Sequence, residues 1–360
     1  MAGSPAESGP GGTAPIAWRP LLAFYVFLAL LTGAESFTGR RESVYYAADK
    51  HEAAWRAFMA RGFESPGVRV QDINVGSYCR RPLMPGLVDL VARMGVPWPY
   101  AFSLLRLLSI LAAYLAFHGY LRAWFHDEAA VLGTLFVAAS VPLTFVSAWW
   151  EIISDFPELL AFTLGLWAIR SRQRLGLALA TFAGTLNRET TALLVVIAGV
   201  YVVLSWREKR ADLATGLAAL GGWLGATLPL HWWLATGTPS DSIATRLHLF
   251  EHNLLGLSQL LVKPHPYNAY LLPVYLFGAF WVLPLLGWRG LPPVLRAGLA
   301  SAPLFLLIVV VVGGLNEPRQ LMPLYPILVP ASLFVLLPGA LLRPAAGVVA
   351  APLEPGPKVA

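Results

Sequence analysis

Charge is absent from long stretches of this chain and concentrated between them. Residues 129–150 contain no Asp, Glu, Lys or Arg, and neither do residues 20–34. A run of about 20 apolar residues is what a helix needs to cross about 30 Å of hydrocarbon. A soluble chain of 360 residues could bury a large core, but its surface would still have to be charged. An ordinary soluble domain is about 25% charged. Here only 13% of residues are charged and 57% are hydrophobic, with a mean hydropathy of +0.61. This excludes a soluble globular enzyme, a disordered chain, a coiled coil and a disulfide scaffold. The single Cys79 cannot form an internal disulfide. The net charge of +6 points to membrane lipids and not to nucleic acid. In a membrane chain, surplus Lys and Arg mark cytoplasmic loops and headgroup contacts.

The expected fold is therefore all-α, a polytopic transmembrane helical bundle. About eight full spans are expected, near 17–36, 100–121, 128–148, 155–170, 214–236, 270–287, 297–313 and 322–342. Residues 1–15 and 343–360 read as disordered tails rich in Pro, Gly and Ala, leaving 16–342 as one membrane domain. The run 20–34 follows only Arg19, which suits an uncleaved anchor better than a signal peptide. Segment 82–96 is too short to span and carries Asp89 and Arg93, so it is expected to be an interfacial or re-entrant helix.

Segment 175–205 is too long for one crossing and carries Asn187-Arg188-Glu189 at its middle. Arg170, Arg172 and Arg174 precede it, and Arg207, Lys209 and Arg210 follow it. Positive clusters in short loops mark the cytoplasmic side, so both ends belong inside. The segment must go up and come back as two short helices that meet near the outer side. Such a break is tolerated only when buried in protein or lining a wet cavity. Counting from there puts both termini inside. The long connections 37–99 and 237–269 fall outside as a cap over the bundle, although 37–99 carries nine Lys/Arg. Loops of that length translocate largely regardless of charge.

On this topology most Asp and Glu residues lie at the outer face, as an outward-facing site would require. Glu42, close after the first span, could serve as general base on an acceptor hydroxyl, with Tyr45 beside it at the interface. Arg80 and Arg81, just before the 82–96 helix, have the planar donor fork that suits phosphate. Asp155 offers a second carboxylate for an acceptor or a metal. Asn187, Arg188 and Glu189 are the most telling group, because each ionisable residue inside a membrane segment costs about 2.5–3.5 kcal/mol on insertion scales. Glu317 and Arg319 repeat the same chemistry in the last outer connection. His248 and His252 share a helix face, but the rest of an HExxH set is missing. There is no GxxxxGK[ST], GxSxG or CxxC, and no GxGxxG after a strand.

Taken in order, these residues resemble the GT-C superfamily of integral membrane glycosyltransferases, most of all its bacterial branch involved in cell-surface glycopolymers. The likeness rests on Glu42 with Tyr45 and Tyr46, on Arg81-Pro82-Leu83-Met84-Pro85, on Asn187-Arg188-Glu189-Thr190, and on Glu317-x-Arg319 followed by Pro323-Leu324-Tyr325-Pro326. The resemblance implies transfer of a sugar, with inversion, from a polyprenyl-phosphate donor to a glycan, lipid or protein acceptor. It implies a bacterial inner membrane with the site facing outward. It makes Glu42 the base and Arg80, Arg81, Arg188 and Arg319 the phosphate ligands. Asp155 would support catalysis, while Asn187, Glu189, Glu317 and Tyr45 would orient sugar or acceptor. The resemblance leaves a divalent metal open. Many members have paired acids or an Asp at the base position, where this chain has Glu42 followed by Ser43. A secondary transporter or lipid-linked-sugar flippase is the alternative, since broken helices with polar centres also mark transport sites. A non-catalytic assembly subunit is a third.

Overall fold

The computed structural model describes residues 18–39, 48–49, 51–53, 55–56, 59, 81–144, 153–207, 212–234, 243–262, 269–312 and 317–337. Among them there are 13 α-helices and no strand, so the fold is all-α. The expected tails, and Glu42, Tyr45, Tyr46 and Arg80, lie outside the described residues.

Helix α1 (Trp18–Gly39) runs antiparallel to α3 (Trp98–Leu121), with Tyr25 beside His118, Thr32 beside Tyr114 and Gly33 beside Leu107. The short α2 (Leu83–Arg93) buries Met84, Pro85 and Val88 on one face. Helix α4 (Asp127–Thr144) returns along α3, and α5 (Asp155–Ser171) runs parallel to α3. Helix α5 closes with Arg172 in the left-handed region, where the Arg172 and Gln173 amides donate to the Ile169 and Ala168 carbonyls. This is a Schellman closure, normally given to Gly, and it turns the chain at once into α6 (Arg174–Asn187).

The hairpin expected at 175–205 is present. Helix α6 ends at Asn187, Arg188 is extended, a 3-10 turn covers Glu189–Thr191, and α7 (Ala192–Arg207) follows. Helix α8 (Leu213–Leu234) fixes the directions of both arms. It runs parallel to α6, pairing Gly222 with Ala178 and Gly225 with Phe182, and antiparallel to α7, pairing Gly216 with Val202. The two arms are therefore antiparallel, and their tip lies at the same end of the bundle as the start of α5. The opposite end carries Arg122, Arg170 and Arg174, which pair with Asp127, the Ala123 carbonyl and Asp212.

Two segments carry structure that hydropathy did not describe. The connection 237–269 contains a 20-residue helix, α9 (Ile243–Val262), anchored where Asn253 donates to the Val310 carbonyl at 2.7 Å. The span expected at 270–287 is not one helix. It is α10 (Leu272–Phe277), a 3-10 turn at Gly278–Trp281 and α11 (Leu283–Leu286). Pro273 and Pro284 each remove a backbone donor, and Gly278 sits at φ +49°, which L side chains rarely adopt. Helix α12 (Pro293–Val312), a 3-10 segment (Pro318–Leu324) and α13 (Tyr325–Leu336) complete the bundle.

Among the described residues, five helical stretches are long and apolar enough to cross a membrane: Trp98–Leu121, Glu189–Trp206, Leu213–Trp233, Pro293–Val311 and Arg319–Leu336. Phe27, Leu108, Leu228 and Leu307 are exposed at mid-helix, which suits a lipid-facing surface and not a soluble one.

Close helix approach depends on small residues, as membrane packing requires. A Cβ on Gly222 would lie 2.3 Å from the Ala178 carbonyl oxygen, backbone that cannot move aside cheaply. A Cβ on the neighbouring Gly221 would meet nothing within 4 Å. Gly222→Val is expected to lower the detergent-solubilised protein's thermal midpoint by separating α6 from α8, at a cost of about 1–3 kcal/mol or more. Gly221→Val should leave the midpoint nearly unchanged, and equal loss in both would reject the packing argument.

Candidate functional site

The site grows from the first turn of α5. Asp155 and Glu158 are three apart, so they share a helix face, and both are fully buried. Carboxylates suit this position because a helix N-terminus is electropositive, and Pro157 is tolerated there because first-turn amides lack intrahelical acceptors. The broken hairpin supplies the opposite charge. Its Arg188, 4% exposed, donates through Nη1 to Asp155 Oδ1 at 2.9 Å and to Glu158 Oε2. Thr190 donates to the other Glu158 oxygen. Asn187 Nδ2 donates to the Ser154 carbonyl at 2.8 Å, tying the break to the start of α5.

The last connection closes the cluster. Arg319, 3% exposed, donates to Glu317 Oε2 through Nη2 at 2.9 Å and Nε at 3.3 Å, and Gln320 donates to the same oxygen at 3.1 Å. Arg319 Nη1 also lies 4.0 Å from Asp155 Oδ2. Beside this core, Arg81 Nε lies 3.5 Å from Glu189 Oε2. Several buried atoms make no hydrogen bond among the described residues: Asp155 Oδ2, Asn187 Oδ1, Arg188 Nε and Arg81 Nε.

Helix α6 has 14 residues and rises about 21 Å from the basic end, short of a hydrocarbon core about 30 Å thick. Charges so deeply buried are tolerable only when paired and hydrogen-bonded.

An apolar groove of about 790 Å³ runs between α2, α3, α5 and α6. Leu87, Leu108, Leu164 and Leu179 line it and are exposed, so it opens sideways from the bundle. It reaches from Pro157 and Gly184, beside the cluster, to Trp167 and Gln173 at the basic end. Its α2 wall, Leu83 and Leu87, begins two residues after Arg81.

Of the expected site residues, the structure brings together Asp155, Asn187, Arg188, Glu317 and Arg319, with Arg81 and Glu189 adjacent. Glu158, Thr190 and Gln320 were not in the expected set. The sequence signal for Glu158 was its spacing from Asp155 at a helix start. Arg188 and Arg319 were expected to meet a phosphate, but their charges are answered within the cluster by Asp155, Glu158 and Glu317. Among the described residues no group of three or more His, Cys, Asp or Glu is arranged to hold a metal ion. No protein-family model, curated protein or solved structure matches the chain.

Arg188→Met is expected to cost about 3–5 kcal/mol, because it leaves two buried carboxylates without their cation. The triple variant Asp155→Asn, Glu158→Gln, Arg188→Met should recover part of that loss in thermal unfolding. No recovery would mean that Arg188 acts by packing alone.

Burial pushes the Glu317 carboxyl up, but Arg319 beside it, its hydrogen bonds and the more distant Arg188 hold it below the usual carboxylate range. The pairing therefore stabilises the fold above about pH 4.3, the value for a free Glu. That contribution is lost as the pH falls through the lower folded value. Glu317→Gln is expected to flatten this acid limb in a pH series of thermal midpoints, and an unchanged limb would assign it to other groups.

Proposed function

We propose that the chain is a multi-pass membrane glycosyltransferase of the GT-C kind, with about eight crossings and both termini cytoplasmic in a bacterial inner membrane. It moves a sugar from a polyprenyl-phosphate donor to an acceptor hydroxyl at the outer face. The observation that carries this reading is an apolar groove, open to the side, that ends beside a buried ionic cluster. A donor with a long hydrocarbon chain and a charged, hydroxyl-rich head has the same division.

In this reading Arg81 takes the phosphate. Among the described residues its Nε makes no hydrogen bond, and its partner Glu189 is half-exposed, so an incoming phosphate displaces no buried carboxylate. Arg188 and Arg319 instead hold Asp155, Glu158 and Glu317 in place. Glu42 from the first outer connection, or Asp155 through Oδ2, accepts the proton of the acceptor hydroxyl. The acceptor oxygen then bonds to the anomeric carbon with inversion. The bond from that carbon to the phosphate oxygen breaks, and polyprenyl phosphate leaves with the electron pair. Asn187 Oδ1 and Glu189 are positioned to accept from sugar hydroxyls.

One observation favours a secondary transporter instead. Residues 269–290 form a second interrupted segment, and paired broken helices mark transport sites. Sugar transfer by the purified protein separates the two readings, because a transporter leaves the donor intact.

Strains carrying Glu42→Gln or Arg81→Ala are expected to accumulate carrier-linked sugar and lose the corresponding surface glycan by mass spectrometry. The purified variants should transfer at least tenfold more slowly. Unchanged pools and unchanged glycans in both strains would reject the transferase reading.

A further inference from the structure

A second cavity, of about 690 Å³, lies at the cluster end of the bundle but outside the ionic cluster. It sits on a small separate core in which Ala48, Met84, Val88, Trp98 and Phe102 pack together. Trp98 Nε1 donates to the Ala48 carbonyl at 3.0 Å, and the Trp55 ring lies against Gly86, so Ala48 is held to α3 and Trp55 to α2. Trp55 and Trp98 line the cavity, together with two ion pairs, Glu52 with Arg56 and Asp89 with Arg93.

The hydrogen bonding of these pairs is one-sided. Arg56 donates through Nε, at 3.0 Å, and through Nη2 to the same oxygen, Glu52 Oε1. Arg93 donates through Nε at 2.9 Å and approaches through Nη2 at 2.8 Å, both to Asp89 Oδ2. Glu52 Oε2 and Asp89 Oδ1 accept no hydrogen bond among the described residues. The carboxylates are set into the wall, 25% and 24% exposed, while the guanidiniums stand at the rim, 77% and 68% exposed.

We infer that this cavity binds a neutral glycan chain, at a site separate from the ionic cluster. Two acids matched by two guanidiniums give the cavity no net charge, so it offers no electrostatic advantage to an anionic lipid or a charged peptide. Its free groups are one acceptor oxygen on each of two walls and the outer guanidinium N–H groups, which suit the paired hydroxyls at a sugar's edge. The half-buried Trp55 supplies an apolar indole surface for the C–H face of a pyranose ring, while Trp98 belongs to the core on which the cavity sits. A mostly apolar cavity with a few convergent polar groups is the usual form of a small-ligand site.

The test uses the full chain in a detergent without a sugar headgroup. Maltohexaose, cellohexaose and mannohexaose are the neutral probes, with a sulfated hexasaccharide, an acidic peptide and anionic lipid vesicles for comparison. Binding is read by saturation-transfer NMR and titration. At least one neutral hexasaccharide is expected to bind, with affinity reduced at least tenfold in the Glu52→Ala, Asp89→Ala double variant, whose thermal midpoint is measured alongside. Asp155→Asn should lose sugar transfer yet keep hexasaccharide binding, so failure of this site and failure of the transferase reading give different results. Arg56→Gln with Arg93→Gln, altered only at the exposed rim, gives a second test if the first variant misfolds, and it should weaken the same probe. The inference is overturned if no neutral hexasaccharide binds, if neither double variant weakens binding, or if the anionic probes or the peptide bind better.

Discussion

Everything at the polar end of this bundle depends on Arg188 lying between Asp155 and Glu158. None of the three buried charges is tolerable alone, and each is paired within the group. The pairing fixes where α5 begins and where α6 stops. It also accounts for the extended conformation of Arg188, which turns the side chain toward α5 while the Asn187 amide holds the Ser154 carbonyl. Gly184, at the tip of α6, allows the close approach, since a Cβ there would strike Thr191 and Ala161. Helix α8 then takes its direction from α6, and the last connection closes over Asp155 through Arg319.

The division between groove and cluster has a physical basis. Hydrocarbon gains nothing from polar groups, and the groove offers leucines and small residues along almost all its length. Charge gathers where the bundle can surround it. The cavity beside α2 differs from both, because its ion pairs join residues four apart whose guanidiniums are exposed. Surface pairs of that kind contribute little to stability. They leave carboxylate oxygens near the surface, whereas the oxygen of the cluster that makes no hydrogen bond, Asp155 Oδ2, is fully buried.

Much of this was legible in the sequence, and the reasons are specific. Basic clusters on both sides of 175–205, with Asn187-Arg188-Glu189 between them, required a hairpin whatever its partners were. The pairing of Arg319 with Asp155 was not legible, because one sequence carries no record of which distant residues meet. Helix α9 was read as a connection because Arg246, Glu251 and His252 break up its apolar character, and hydropathy does not register an amphipathic helix. Segment 270–287 shows the converse, an apolar run expected as one helix that is interrupted in the structure. Its residues are apolar enough to span, but Pro273, Gly278 and Pro284 act on the backbone, which hydropathy ignores. Glu158 was visible as an acid at a helix start, yet its role appears only once Arg188 is opposite it.

The short reach of α6 also has a meaning for how the chain is made. A 14-residue arm ending in a charged tip cannot be held across a bilayer by itself. It must enter together with α7, whose run with the preceding turn is long enough. The carboxylates that receive Arg188 belong to α5, which leaves the ribosome first. Synthesis thus delivers the acids before the guanidinium that needs them. Glu317 and Arg319 emerge near the end, when the closing helix can seal a cluster already in place.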